Sequence, residues 1–173
     1  MNSNELFLKA LERADLTFKN ALSDLNPEEL RRQPAGTNSN PVGWLAWHLV
    51  NVRDNYIARI TESETVWLAQ KWYEKFGVPE KPPVYKPETV GTFDPIGSDV
   101  LMGYFDAVNS AMTNCVKGLN EDDWLRMIPH PNPTRPPQAI VDALVILASD
   151  NVQHIGQIAY LKGMIKGQGW YGV

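Results

Sequence analysis

The sequence predicts an all-α fold: a four-helix bundle with a long crossover and a short extra helix between its second and third helices. Apolar residues recur at three- and four-residue steps in four long stretches, the period of an amphipathic helix. No stretch shows the alternation of a half-buried strand. Prolines gather in 78–95 and 129–137, where each fixes φ and removes a backbone donor, so both segments read as links. At 173 residues, 43% of them apolar, the chain is expected to form one domain over 1–173 and to bury roughly 70% of its unfolded surface.

The first helix is expected over about Asn4 to Leu25, its stripe running through Leu6, Ala10, Ala14, Phe18, Ala21 and Leu25. Asn26-Pro27-Glu28-Glu29-Leu30 follows with a cap, a first-turn proline and two acids, the start of a short helical turn that ends before Pro34. Asn40-Pro41 opens the second helix by the same logic, with Val42, Leu45, Leu49, Val52 and Tyr56 facing inward. Thr61 and Glu64 have capping-box spacing, so an extra helix is expected over Glu62 to Phe76, carrying Trp67, Trp72, Tyr73 and Phe76. Those aromatics either wall a substrate pocket or pack on the bundle or a dimer partner.

A third helix runs from Ser98 to Leu119 on Leu101, Tyr104, Val108, Ala111 and Cys115. Asn120-Glu121-Asp122-Asp123-Trp124 then repeats the Leu-Asn-x-acid-acid-apolar pattern of residues 25–30, a weak internal repeat. The fourth helix spans Gln138 to Ile165 on Ile140, Leu144, Leu147, Ile158, Leu161 and Ile165, and glycines 167 and 169 stop it. The crossover is long enough to join the second and third helices in either relative direction.

Composition excludes several classes. Sixteen basic residues against twenty acidic ones, a net charge of -4, leave no cationic row for nucleic acid. A single cysteine, Cys115, excludes an internal disulfide framework and fits a reducing compartment. Glu5, Lys9 and Glu12 interrupt the N-terminal stretch where a signal peptide would be apolar, and no run approaches the ~20 apolar residues of a membrane helix. A cytoplasmic protein without nucleic-acid or membrane partners is expected.

The informative residues are those that break an apolar stripe. Asp150 and His154 interrupt the fourth helix four positions apart, so both side chains point into one groove. A carboxylate buried among Leu and Ile needs compensation by hydrogen bonds, an ion pair or a metal. His48, at the edge of the second helix's inner face, offers a second inward imidazole. Two imidazoles and a carboxylate suit a divalent transition metal with open positions, but an Asp-x-x-x-His pair on a helix is common and spacing alone is met as well by the two hydrogen-bonding each other. His130, between Pro129 and Pro131, reads as solvated, and Cys115 as a packing residue.

The run Asn40-Pro41-Val42-Gly43-Trp44-Leu45-Ala46-Trp47-His48-Leu49 is followed a hundred residues later by Asp150-Asn151-Val152-Gln153-His154-Ile155-Gly156-Gln157-Ile158-Ala159-Tyr160-Leu161-Lys162-Gly163. In order and spacing these two runs resemble the DinB/YfiT-like superfamily, over essentially the whole chain. The segment ending in Lys75-Phe76-Gly77-Val78-Pro79 and the terminal Gly169-Trp170-Tyr171-Gly172 also resemble one branch of it. The resemblance implies a bundle, usually dimeric, with a divalent metal (Zn, Ni, Mn or Fe) held at one end. His48 and His154 match two of its ligands. Asp150 stands where the family has His or Glu, and its shorter side chain implies a metal nearer the fourth helix or ligation through water.

Gln157, on the ligand side of the fourth helix, either orients a ligand from behind it or caps and packs between helices. The implied activity is transfer of a low-molecular-weight thiol to a small electrophile, the thiol arriving as a cosubstrate. A metal-dependent hydrolase and a non-catalytic dimeric bundle binding a small molecule or protein are the alternatives. The family's isomerases carry an additional C-terminal domain, and with the sequence ending at Val173 that activity is not expected.

Overall fold

The computed structural model describes residues 2–171, so Gly172 of the terminal motif lies outside the described residues. In chain order the elements are α1 (Ser3–Leu22), α2 (Pro27–Arg31), α3 (Val42–Thr61), α4 (Val66–Ala69), α5 (Trp72–Lys75), α6 (Pro87–Thr92), α7 (Ser98–Gly118), α8 (Glu121–Leu125), β1 (Met127–Ile128), β2 (Gln138–Ala139) and α9 (Ile140–Lys166). The four long helices α1, α3, α7 and α9 form the bundle, and the fold is all-α apart from the antiparallel pair β1–β2. That pair, Met127 opposite Ala139 and Ile128 opposite Gln138, is the one departure from the strand-free expectation among the described residues.

Side-chain contacts define the topology. α3 packs against α9 and α7, and α1 against the same two. Asn4 reaches the Leu119 carbonyl at 2.8 Å and Lys19 pairs with Asp106, so α1 and α7 are antiparallel. Lys162 donates to the Asn20 carbonyl at 2.7 Å while Leu6 and Val141 line one groove, so α1 and α9 run parallel. Arg53 meets Asn109, and Ile60 meets Cys115 across one groove, so α3 and α7 are also parallel. A link between parallel neighbours must return along the bundle. The long segment between α3 and α7 does this.

The turn chemistry expected from the repeat is present twice. Asn26 and Asn120 each accept from the backbone three residues on, and Glu29 and Asp123 each reach back to the cap's own N–H. Other expectations are corrected. Pro41 caps α3 with no side-chain bond, so Asn40 does not serve. No helix spans Glu62 to Phe76: Glu62 ends α3 in the left-handed region, and Lys71, also left-handed, separates two single turns. Thr65 caps the first turn in place of the Thr61–Glu64 box.

The reason for this break is Asp54. Its buried carboxylate accepts from Val66 N at 2.7 Å, Trp67 N at 2.8 Å and the Tyr104 hydroxyl at 2.8 Å, so the start of α4 is tied to α3. Burial pushes this carboxyl above the usual range, against the pull of those three donors. Trp67, Trp72 and Phe76 are buried around Tyr104, Trp47 and Phe93, which settles their role as packing; Tyr73 is half-buried against the same core. The crossover then closes on the start of α3, where Gly43 has no Cβ. A Cβ there would stand 2.6 Å from Pro95 Cγ.

The stripe of α1 is rotated from its expected position. Leu11, Asp15, Phe18 and Leu22 face the core, whereas Leu6 is 57% exposed. Asp15 points inward because it pairs with Arg53, the fully buried centre of the bundle. Every N–H of that guanidinium is used. Nη1 donates to Asp15 Oδ2 and Asn109 Oδ1, both at 3.1 Å, and Nη2 to Asp15 Oδ1 at 2.7 Å. Hydrogen-bond chemistry assigns the Asn151 amide with its oxygen toward the guanidinium, since the reverse would set N–H against N–H, and that oxygen accepts from Nη2 at 2.9 Å and Nε at 3.2 Å. Each long helix contributes one member. Among the described residues, no helix is long and apolar enough to cross a membrane.

Candidate metal centre

His48 is the one residue of 41–50 that is not fully buried, because α3 turns its side chain toward the seam with α9. The two helices run antiparallel there, and this brings His48 against His154 with ring centroids 5.1 Å apart, edge to face at 88°. Asp150 lies one turn earlier on α9, its Oδ1 3.5 Å from His154 Nε2. That distance exceeds an ordinary N–H···O bond of about 2.9 Å. It is close to the roughly 3.4 Å that separates two tetrahedral ligands of an ion bound at about 2.1 Å.

The second carboxylate oxygen, Asp150 Oδ2, is buried without a hydrogen-bond partner. A buried acceptor left unmade costs about 1–3 kcal/mol, more when charged, so this oxygen calls for a cation or donor. His154 Nδ1 donates to Gln157 Oε1 at 2.9 Å, which fixes the tautomer and leaves the Nε2 lone pair on the side of Asp150. The donor set of two imidazoles and a carboxylate therefore fits a divalent ion chemically. As the side chains stand, no three His, Cys, Asp or Glu among the described residues form a closed ligand set.

The two imidazoles titrate in opposite directions. Burial pushes His48 below the usual histidine range, and His154 adds to this while Asp150 opposes it. The Asp150 carboxylate beside its Nε2 pushes His154 up, against burial and with help from Gln157. His48 is thus a neutral imidazole at pH 7, while protons compete for His154. Trp44 lies parallel to His48 at 6.4 Å and is itself covered by Phe93 and the exposed Tyr85 of the crossover. The crossover seated on Gly43 thus backs the histidine with apolar surface.

His130 is not brought to this site. Its Nδ1 accepts from Asn132 N at 2.9 Å within its own loop. Cys115 packs against the core on α7, and burial raises its thiol pKa, Arg126 opposing. The residues missed from the sequence are Asp15, Arg53, Asn109 and Asn151. The signal available was Arg53, which with its neighbour Asp54 puts charge between Leu49 and Ile57 on a mostly apolar inner face of α3.

Comparison with known proteins agrees with this architecture. A crystal structure of a conserved protein from Enterococcus faecalis superposes with a TM-score of 0.85 at 24% identity, covering 97% of this chain and 99% of that one, which shows the shared fold. No curated protein matches the chain significantly. The family model described as the DinB superfamily matches residues 10–158. The chain belongs to the DinB superfamily.

Proposed function

We propose that this DinB-superfamily chain is a divalent-metal-dependent enzyme that transfers a low-molecular-weight thiol to a small electrophile, with His48, Asp150 and His154 as the metal ligands. The observation that carries this reading is Asp150 Oδ2, a buried oxygen with no partner beside two imidazoles. A divalent ion held there supplies Lewis acidity, lowering the pKa of a thiol or water brought to its open side. His48 offers its lone pair because burial keeps it unprotonated. Gln157 holds His154 in the ligating tautomer, and Trp44 keeps water from the far side of His48. The reacting thiol comes from a cosubstrate, since Cys115 is packed on α7 with its pKa raised.

The test is metal analysis of protein purified without added metal, beside His154→Ala. Zn, Ni, Mn or Fe at about one ion per chain, and at least ~100-fold weaker rebinding in the variant, supports the reading; wild-type protein that neither retains nor rebinds an ion ends it. Turnover that needs an added thiol separates the transferase from a metal-dependent hydrolase.

The same reading includes a homodimer formed through the outer side of α1 and α9. Val145, Val152 and Tyr160 of α9 are 60%, 59% and 71% exposed, so this helix is apolar outside as well as inside. Its 27 residues are about 40 Å long, and with α1 beside it the face is roughly 20 Å wide, about 800 Å² per partner. Val152→Glu is expected to halve the mass seen by light scattering.

A further inference from the structure

We infer that the buried Arg53 cluster sets the axial register of α9 against α3, and so acts as the positioning device for the candidate metal centre. The metal-affinity arm of this inference rests on the reading proposed above; the register arm does not.

Helices that pack through leucine, isoleucine and valine can slide past one another at modest cost, because dispersion and apolar burial are non-directional. The inner face of α9 is of this kind, with Ile140, Leu144, Leu147, Ile155 and Ile158 all buried. Asn151 is the fully buried polar residue that α9 turns to α3, while its other buried polar residue, Lys162, reaches Asn20 of α1. Its amide oxygen sits 2.9 Å and 3.2 Å from two nitrogens of Arg53 on α3. A shift of one helical turn, about 5.4 Å, would break both bonds and leave a buried amide and a buried cation short of partners. A single polar pair in an apolar seam can specify register in this way.

Asp150 precedes Asn151 and His154 follows it within one turn, so the residue that fixes the register lies inside the candidate ligand pair. Arg53 in turn lies five positions after His48. The same two helices that meet through Arg53 and Asn151 therefore present His48 to His154 and Asp150. Asn109 and Asp15 complete the guanidinium from α7 and α1, which contribute no candidate ligand.

Two readouts test this. In a Cys115→Ser background, spin labels at the exposed positions Asn55→Cys and Gln153→Cys report the α3–α9 offset without any metal. The parent is expected to give one narrow distance. The apolar replacement Asp15→Leu, Arg53→Met, Asn151→Leu removes the three buried members of the cluster while filling their volume, leaving only the half-buried Asn109, and is expected to broaden that distance or move it by about 5 Å. A folded triple variant with the parental narrow distance overturns the inference. Should the triple variant fail to fold, the same distance in Asn151→Ala and Asn109→Ala decides: broadening in the first alone supports register setting, and identical behaviour overturns it.

Zn²⁺ titration then adds the functional arm. Asn151→Ala is expected to bind Zn²⁺ at least tenfold more weakly and Asn109→Ala within twofold of wild type. Equal losses would show that the cluster acts through general stability alone. A wild-type chain that binds no Zn²⁺ sinks the metal reading and leaves the spin-label result to judge the register.

Discussion

Two of the polar clusters in this bundle, the one around Arg53 and the one at the α3–α9 seam, differ in whether their hydrogen-bonding capacity is closed. Around Arg53 every N–H of the guanidinium has a partner and the arginine is fully buried. At the α3–α9 seam, His48, Asp150 and His154 are half-buried, one ring meets another edge to face, and one carboxylate oxygen has no partner at all. A closed cluster specifies structure, because nothing outside the protein improves it. An open one, held on the same rigid helices, has capacity left for a further group, which is why the metal is proposed there.

The largest effect expected from breaking this contrast is Arg53→Ala. It strands the Asp15 carboxylate in the core, a loss of about 3–5 kcal/mol, and the thermal midpoint should fall by roughly 10 °C or more. Scanning calorimetry checks it, and a fall under a few degrees would mean that the cluster is not closed as described.

Gln157→Ala sharpens the other side of the comparison. Removing the acceptor that holds His154 in its tautomer should weaken metal affinity by about 10-fold while leaving the metal-free midpoint nearly unchanged, because Gln157 is exposed. Isothermal titration beside a thermal melt reads both quantities. A variant that loses stability without losing affinity would make Gln157 a packing residue.

The smallest effect is on pH. In metal-free protein His154 has a folded pKa above its unfolded value, so its contribution is present below the unfolded pKa and is lost as pH rises through the folded one. His48 has the opposite shift, so its contribution is present above the unfolded pKa and is lost as pH falls toward the folded one. The two together favour a stability maximum near pH 6.5. Relative to wild type, His154→Ala should flatten the decline above that pH and His48→Ala the rise below it. Chemical denaturation at a series of pH values checks this, and parallel curves for all three proteins would contradict it.

Much of this molecule was legible as pattern. The inner faces of α3 and α9, the first half of the α7 face through Val108, the twin caps at Asn26 and Asn120, and the placement of His48, Asp150 and His154 on facing helices follow from spacing, because helical period and cap chemistry act over a few residues. Beyond Val108 it is Met112 and Val116, not Ala111 and Cys115, that are buried. Where the pattern failed, a polar residue had been buried by a distant partner. The face of α1 is rotated because Asp15 meets Arg53, 38 positions away. The extra helix over 62–76 is broken because Asp54 captures the N–H groups of Val66 and Trp67. Neither pairing leaves a periodic trace.

By itself, then, the sequence determined the helical class, the helix order and the residue types available for a metal, since these depend on local propensity and periodicity. Only the tertiary structure decided that α3 and α7 run parallel, that Trp67, Trp72 and Phe76 are core, and that Asp150 Oδ2 has no partner. Those outcomes depend on which groups a folded chain brings within about 3 Å of one another, and burial is what turns such meetings into large free energies.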